Sequence, residues 1–264
     1  MPITFALLHI TKGTIENWQV TIPGLREQSK ISDFLTSVDD KLNQLIKKKS
    51  YLELYKRGVM QQLFSQELRF KDEDKNDFED WEEKTLGEVG EIVNGLTYSP
   101  NNVVENDGVL VLRSSNIQNR VLAFENNVYV NSTNYNPVKE KDILICVRNG
   151  SKNLIGKNAI ITKEKEGLAF GAFMTVYRST YNDYIFHYFD TKMYYEMIHM
   201  NLGATINSIN NSDLKSFVIP FPCKSEQAKI ASFLSALDDK IAQTALQIEK
   251  MQLWKKGLLQ QMFV

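Results

Sequence analysis

EQSKISDFLTSVDDKL (27–42) and EQAKIASFLSALDDKI (226–241) are two copies of one phrase, set 199 residues apart. The match extends without gaps from Pro23 through Phe64 onto Pro222 through Phe263. Identities include Glu27/Glu226, Gln28/Gln227, Lys30/Lys229, Ile31/Ile230, Phe34/Phe233, Leu35/Leu234, Asp39/Asp238, Asp40/Asp239, Lys41/Lys240, Gly58/Gly257, Gln61/Gln260, Gln62/Gln261 and Phe64/Phe263. Self-similarity at a fixed offset signals one structural unit built twice.

Each copy carries the period of a long helix. Apolar residues recur at seven-residue steps, Ile31, Val38, Leu45, Leu52 and Val59 in the first copy and Ile230, Leu237, Thr244, Met251 and Leu258 in the second. Leu35, Leu42 and Leu63, and in the other copy Leu234, Ile241, Ile248 and Met262, widen the stripe into a coiled-coil seam with a broadened flank. Pro23 and Pro222 precede the periodic stretches and do not interrupt them, and Ser225 is a candidate N-cap. About 39 residues at 1.5 Å each predict rods of roughly 58 Å. The first rod ends and the second begins on either side of one domain, so the two are expected to pair antiparallel within the chain.

Working outward, residues 23–70 and 223–264 are assigned to the two helices. Segment 71–84 contains KDEDKNDFEDWEEK and reads as an acidic, solvated linker. Residues 85–222 change texture to short β-type runs such as Val109–Leu112 and Ile143–Val147, broken by Asn, Ser and Gly, which predicts a mixed domain. Tyr181–Met200 reads as one helix, with Tyr184, Ile185, Tyr188, Tyr195 and Ile198 as core packing. At the same offset of 199, Ile10 falls on Ile209, Ile15 on Leu214 and Trp18 on Phe217. Residues 1–22 therefore read as the tail of a domain whose remainder is absent. The fold class is α+β, one mixed domain plus two long helices in an antiparallel coiled coil.

The chain has 264 residues, 43% apolar and 24% charged, with a net charge of −1, an ordinary globular balance that is not that of a basic, self-sufficient nucleic-acid binder. The two cysteines, Cys146 and Cys223, have no CxxC partner, and His9, His187 and His199 are scattered, so neither a disulfide scaffold nor a metal site is expected. The absence of a long apolar run and of a leader pattern predicts a cytoplasmic protein without a membrane segment. GSKNLIGKN (150–158) has five residues between its glycines and no Ser or Thr after Lys157, so it is not a phosphate loop. Glu164 and Glu166 read as a charged turn, and no motif of enzymatic chemistry appears.

The order of tail, long helix, domain, long helix resembles the specificity (S) subunits of type I restriction-modification systems. So do three stretches of the domain: WEEKTLGEVGEIVNGLTYSP (81–100), VKEKDILICVRNG (138–150) and GATINSINNSDLKSFVIPFP (203–222). The resemblance covers nearly the whole chain but only one target-recognition domain, 85–222, where the family alternates two, so it implies a half-size form. It implies a non-catalytic subunit that binds a half-site in double-stranded DNA and docks methyltransferase (M) and restriction (R) subunits; whether two copies self-associate into a dimer is left open by the sequence. No cofactor is expected on this chain, since S-adenosylmethionine, ATP and Mg belong to the partner subunits. Sharing phosphate contacts among subunits would also answer the missing positive charge. A spacer of roughly 58 Å exceeds one DNA turn of about 34 Å and can hold reading heads over successive grooves.

Four polar clusters beside apolar strands are the candidate DNA-binding residues. They are Asn94, Thr97 and Tyr98; Arg113, Ser114, Ser115, Asn116, Gln118, Asn119 and Arg120; Arg148, Asn149, Ser151, Lys152 and Asn153; and Thr205, Asn207 and Ser208. Arg forks onto guanine and Asn or Gln onto adenine, while Ser, Thr and Lys mostly serve phosphates. The competing reading of these residues is plain turn chemistry, and that of the whole chain is a coiled-coil adaptor for proteins without DNA specificity.

Overall fold

The structure, a computed structural model, describes residues 11–17, 19, 22–203 and 207–262. In chain order the elements are α1 (Lys12–Glu16), α2 (Leu25–Phe64), β1 (Glu82–Thr85), α3 (Leu86–Val89), β2 (Glu91–Asn94), β3 (Val103–Val104), β4 (Val109–Leu112), β5 (Ile117–Gln118), β6 (Val121–Leu122), β7 (Tyr129–Val130), β8 (Ile143–Cys146), β9 (Asn158–Ile160), β10 (Ala169–Phe170), β11 (Met174–Arg178), α4 (Asn182–Tyr188), α5 (Lys192–Met200), α6 (Asn211–Lys215), β12 (Val218–Phe221) and α7 (Lys224–Met262). The repeat is structural as well as textual. Helix α7 starts 199 residues after α2, and α6 lies 199 residues after α1. In both copies a glutamine amide donates to a proline carbonyl five residues earlier, Gln28 to Pro23 and Gln227 to Pro222, each at 2.7 Å. Thr11 and Asn210 likewise cap α1 and α6 by accepting the N–H of Thr14 and Asp213. The packing of the copies differs, for Leu214 is fully buried while its counterpart Ile15 is 60% exposed. Ile10 and Trp18, from the same repeated tail, lie outside the described residues.

The chain divides into two compact units, one of residues 51–242 and the other of the chain up to Ser50 with Gln243 onward. Helix α2 gives its C-terminal turns, and α7 its N-terminal turns, to the first unit. Their other ends pair in the second, which is the antiparallel arrangement. In that second unit Val38, Leu45 and Thr244 are buried on the seam, Phe34 meets the Trp254 ring edge-on at 6.2 Å, and Lys255 bonds Asp39. Every described seam position is buried or half-buried, as the seven-residue period requires.

The larger unit is built on the antiparallel sheet β2-β11-β8-β9. All four residues of β8 are buried, which is why its apolar run is continuous instead of alternating. A second sheet, β10-β4-β7-β3, includes one parallel pair, β10 with β4. Strand β1 pairs with β12 from Glu82↔Phe221 to Thr85↔Val218, closing the start of the domain onto its end. The buried Asp142 carboxylate is held by Arg178 through two bonds of 2.8 and 2.7 Å and by the Lys139 N–H.

Two sequence expectations change. Tyr181–Met200 is two helices, α4 and α5, broken at Phe189–Thr191, because Thr191 caps α5 by accepting the Tyr194 N–H. Its aromatics do pack inside, with Tyr184, Tyr188 and Tyr194 buried and Phe189 stacked on Tyr194 at 4.4 Å. Segment 71–84 is also more than solvated chain. Glu82–Lys84 belong to β1, and Trp81 Nε1 donates at 2.8 Å to Glu226 in the first turn of α7. Arg69 Nη2 bonds the same carboxylate at 2.8 Å and the carbonyls of Phe78 and Glu79, folding the segment back on the helix.

Inside the larger unit, the buried Lys56 ammonium of α2 bonds Asp190, in the α4–α5 break, at 3.0 Å and Asp238 of α7 at 2.6 Å. His187 stands beside them, 3.7 Å from Asp238, with its Nε2 on the Ser235 hydroxyl. Burial and the nearby Lys56 and Arg120 charges push its imidazole down to about 3, so it stays neutral. Replacing Asp190 and Asp238 together by Asn leaves a buried cation without a counter-charge and should cost about 3 to 5 kcal/mol in denaturant unfolding. Lys56→Met keeps an apolar stem and leaves two carboxylates that water can reach, so it should cost about 1 kcal/mol. Equal costs would refute this account of the cluster.

Candidate nucleic-acid interface

Four chain segments that the sequence presents as separate clusters meet at one cleft, together with a fifth that the sequence did not single out. After β2 the turn Gly95–Tyr98 is clamped on Phe170–Ala172 by Leu96 N–H to Phe170 O at 2.7 Å and Ala172 N–H to Leu96 O at 3.0 Å. Only glycine fits at 95, since a Cβ there would lie 2.3 Å from the Gly171 oxygen. After β4, Gly171 N–H reaches Leu112 O at 2.9 Å, which brings Arg113–Ser115 to the same place. After β8, the backbone N–H groups of Val147 and Arg148 both donate to Phe173 O, and Asn149 Nδ2 donates to Ser114 Oγ at 3.0 Å. Asn149 N–H bonds Asn207 O, Asn207 Nδ2 bonds Gly150 O at 2.9 Å, and Arg148 bridges Ser208. Asn211 Nδ2 donates to Asn94 Oδ1 at 2.6 Å, joining the first cluster to the last. The resulting cleft of about 460 Å³ is lined by Leu96, Tyr98, Arg113, Ser114, Ser115, Gly171, Ala172, Phe173 and Met174.

Charge is segregated around it. The runs that line the cleft, residues 92–104, 108–124 and 167–182, and the two bonded beside them, 143–163 and 197–212, contain no Asp or Glu, although the chain has 32 acidic residues. They carry Arg113, Arg120, Arg148, Lys152, Lys157, Lys163 and Arg178, of which Arg120 and Arg178 pair with Asp190 and Asp142, while Lys157 Nζ lies 3.5 Å from Ser114 O. The cleft lining thus includes one cation, Arg113, and no carboxylate, with Lys157 beside Ser114, a setting suited to a polyanion.

The candidate residues divide by what they touch. Asn94, Thr97, Ser115, Gln118, Asn119, Arg148, Ser151, Lys152 and Asn153 are exposed, and Tyr98, Arg113, Ser114, Asn149, Asn207 and Ser208 are half-buried around the cleft and its rim. Gln118 turns its amide back on Ser115 O, and Arg113 Nη2 holds Asn126 O while its buried Nε has no partner. Thr205 lies outside the described residues.

Two candidates face inward and are corrected. Asn116 has no exposed surface; its Oδ1 accepts Arg113 N–H and its Nδ2 donates to Ala123 O and Asn127 Oδ1, so it shapes the loop. Arg120 is the second residue of the two-residue β5–β6 turn, where Asn119 and Arg120 both have positive φ, 49° and 65°. Its guanidinium lies 3.9 Å from the centroid of the Phe186 ring and bonds Asn158 Oδ1 at 2.8 Å and the carbonyls of Phe186 and Phe189, interactions that offset the strained backbone. Nothing in the sequence separates such an arginine from one facing a groove. Sequence reasoning also missed Phe173, Lys157 and Asn211; the glycine of GAFM (171–174), flanking an aromatic, was the one available signal for the first.

Burial pushes the Cys146 thiol up to about 11, keeping it protonated, and among the described residues no group of three His, Cys, Asp or Glu could hold a metal. Among the described residues, no helix is long and apolar enough to cross a membrane.

Residues 4–54 and 78–251 match the profile of the type I restriction modification DNA specificity domain. The chain belongs to this family. It is 30% identical over 185 residues to the type I restriction enzyme EcoKI specificity subunit of Escherichia coli K12, covering 65% of this chain and 39% of that one. It is 25% identical over 270 residues to the MjaVIII specificity subunit of Methanocaldococcus jannaschii, covering 95% and 62%. The chain therefore spans two to three fifths of the length of these curated relatives. The fold is shared with the HsdS subunit from Thermoanaerobacter tengcongensis (TM-score 0.58, 16% identity, 99% of this chain and 64% of that one) and with the type I S subunit from M. genitalium (TM-score 0.60, 15% identity, 91% and 62%). In this specificity-domain fold, Asn116→Ala should lower stability by about 2 kcal/mol in denaturant melts, since it orphans a buried N–H and carbonyl. The exposed Lys152→Ala should stay within about 0.5 kcal/mol of the parent.

Proposed function

We propose that the cationic cleft reads one half-site of double-stranded DNA, and that the paired helices carry methyltransferase and restriction subunits as non-catalytic scaffolding. The observation that carries this reading is a cleft lined by three acid-free segments, with Arg148–Asn149 and Asn207 hydrogen-bonded beside it, in a chain that has 32 acidic residues elsewhere. Arg148 and Arg113 are assigned to base edges, Lys152 and Lys157 to phosphates, and Asn94, Thr97, Tyr98, Ser114, Ser115, Asn149, Ser151 and Asn207 to the cleft and its rim, where hydroxyls and amides hold register. S-adenosylmethionine, ATP and Mg would be bound by the partner subunits.

Two copies assembled around methyltransferase subunits would present two identical reading surfaces, so their DNA motif would be an inverted repeat around a fixed spacer. Mapping modified sites in cells that express the chain with its methyltransferase tests this directly. Arg148→Ala should fold normally yet relax or alter one motif position, a loss of about 1 to 3 kcal/mol of discrimination. Lys152→Ala should instead weaken binding evenly across sequences and flatten its salt dependence. An unchanged motif and rate in both variants would favour a protein adaptor over a DNA reader.

A further inference from the structure

Phe173 has no packing role that accounts for its position. Its neighbours Phe170 and Met174 are buried in the domain core, whereas Phe173 is 57% exposed at the edge of the cleft. Its structural contribution comes from the backbone, where its carbonyl accepts the N–H groups of Val147 and Arg148, and any residue could supply that. The side chain adds an apolar surface among polar loops, with the Arg148 guanidinium 5.5 Å from the ring centroid. Leu96 and Tyr98 continue that surface into the cleft, while Arg113, Arg148 and Lys157 stand around it without an acidic residue in the same runs. The surface therefore suits a polyanion that carries a small apolar group inside a polar groove. In the major groove the edges of the bases offer donors and acceptors throughout, and the 5-methyl of thymine is the one apolar group.

We infer that Phe173 is a specificity-determining residue whose ring takes the 5-methyl of a thymine in the half-site. The inference rests on the DNA-reading role proposed above. Arg148, with its guanidinium 5.5 Å from the ring centroid, is then placed to reach a neighbouring base edge, so aromatic and cation read adjacent positions together. The half-site must contain an A·T pair.

The test uses the full chain assembled with its methyltransferase subunits and duplexes bearing the motif found in modified DNA. Each thymine of the half-site is replaced in turn by deoxyuridine, which removes only the methyl. With the parent chain one replacement should weaken binding about fourfold, the equivalent of one buried methyl at about 0.8 kcal/mol. Phe173→Ala should bind thymine and deoxyuridine duplexes equally, and Phe173→Leu should keep part of the difference. Indifference of the parent to every replacement, full retention of the difference in Phe173→Ala, or a half-site without thymine on either strand would overturn the inference while leaving sequence-specific binding intact. Loss of all sequence preference in the parent would overturn the DNA-reading role along with it. Should Phe173→Ala fail to fold, the parent series and Phe173→Leu decide the matter.

Discussion

A single buried cation ties the pieces of the larger unit together. Lys56 leaves α2 and meets carboxylates from α7 and from the break between α4 and α5, so the two repeats and the domain between them are joined at one point. Charge burial is costly unless each group is paired with good geometry, which makes such a cluster a strong constraint on register. Sliding α2 along α7 by one turn would strand the ammonium away from Asp238. The same carboxylate layer steadies Arg120, 3.6 Å from Asp190, and Arg120 in turn fixes the β5–β6 turn beside the cleft. The helices and the loops of the candidate interface are therefore linked through a few charged contacts as well as through the apolar core.

The helices were legible because their period is long and repeated, so errors in any one residue average out. Their antiparallel pairing follows from connectivity, as Phe34 against Trp254 and Lys255 on Asp39 show. What could not be read was how alike sequences find unlike surroundings. Glu226 is fully buried and held by Arg69 and Trp81, whereas Glu27, its exact counterpart in the repeat, is exposed. Lys56 likewise sits off the main seven-residue seam, and its burial depends on partners 134 and 182 residues away. The split of Tyr181–Met200 into two helices turns on a Thr191 cap that competes with a continuous apolar pattern.

At the cleft, residue type identified the loops but not the direction of each side chain. Asn, Ser and Arg both build turns and contact bases, and Asn116 and Arg120 serve the first purpose while Arg148 is exposed beside the cleft. Convergence itself was hidden, since Asn94 and Asn211 touch across 117 residues of chain. The net charge of −1 is a poor guide to the cleft, whose lining contains Arg113 and no carboxylate, because electrostatic attraction depends on where charges lie and not on their sum.

Backbone amide exchange of the assembled protein with cognate and with scrambled duplex tests that convergence most directly. The account predicts that cognate DNA specifically slows exchange in all of the turns at 95–99, 113–119, 148–153 and 171–174. Cognate-specific protection confined to α2 and α7, or to only one of the four turns, would contradict it.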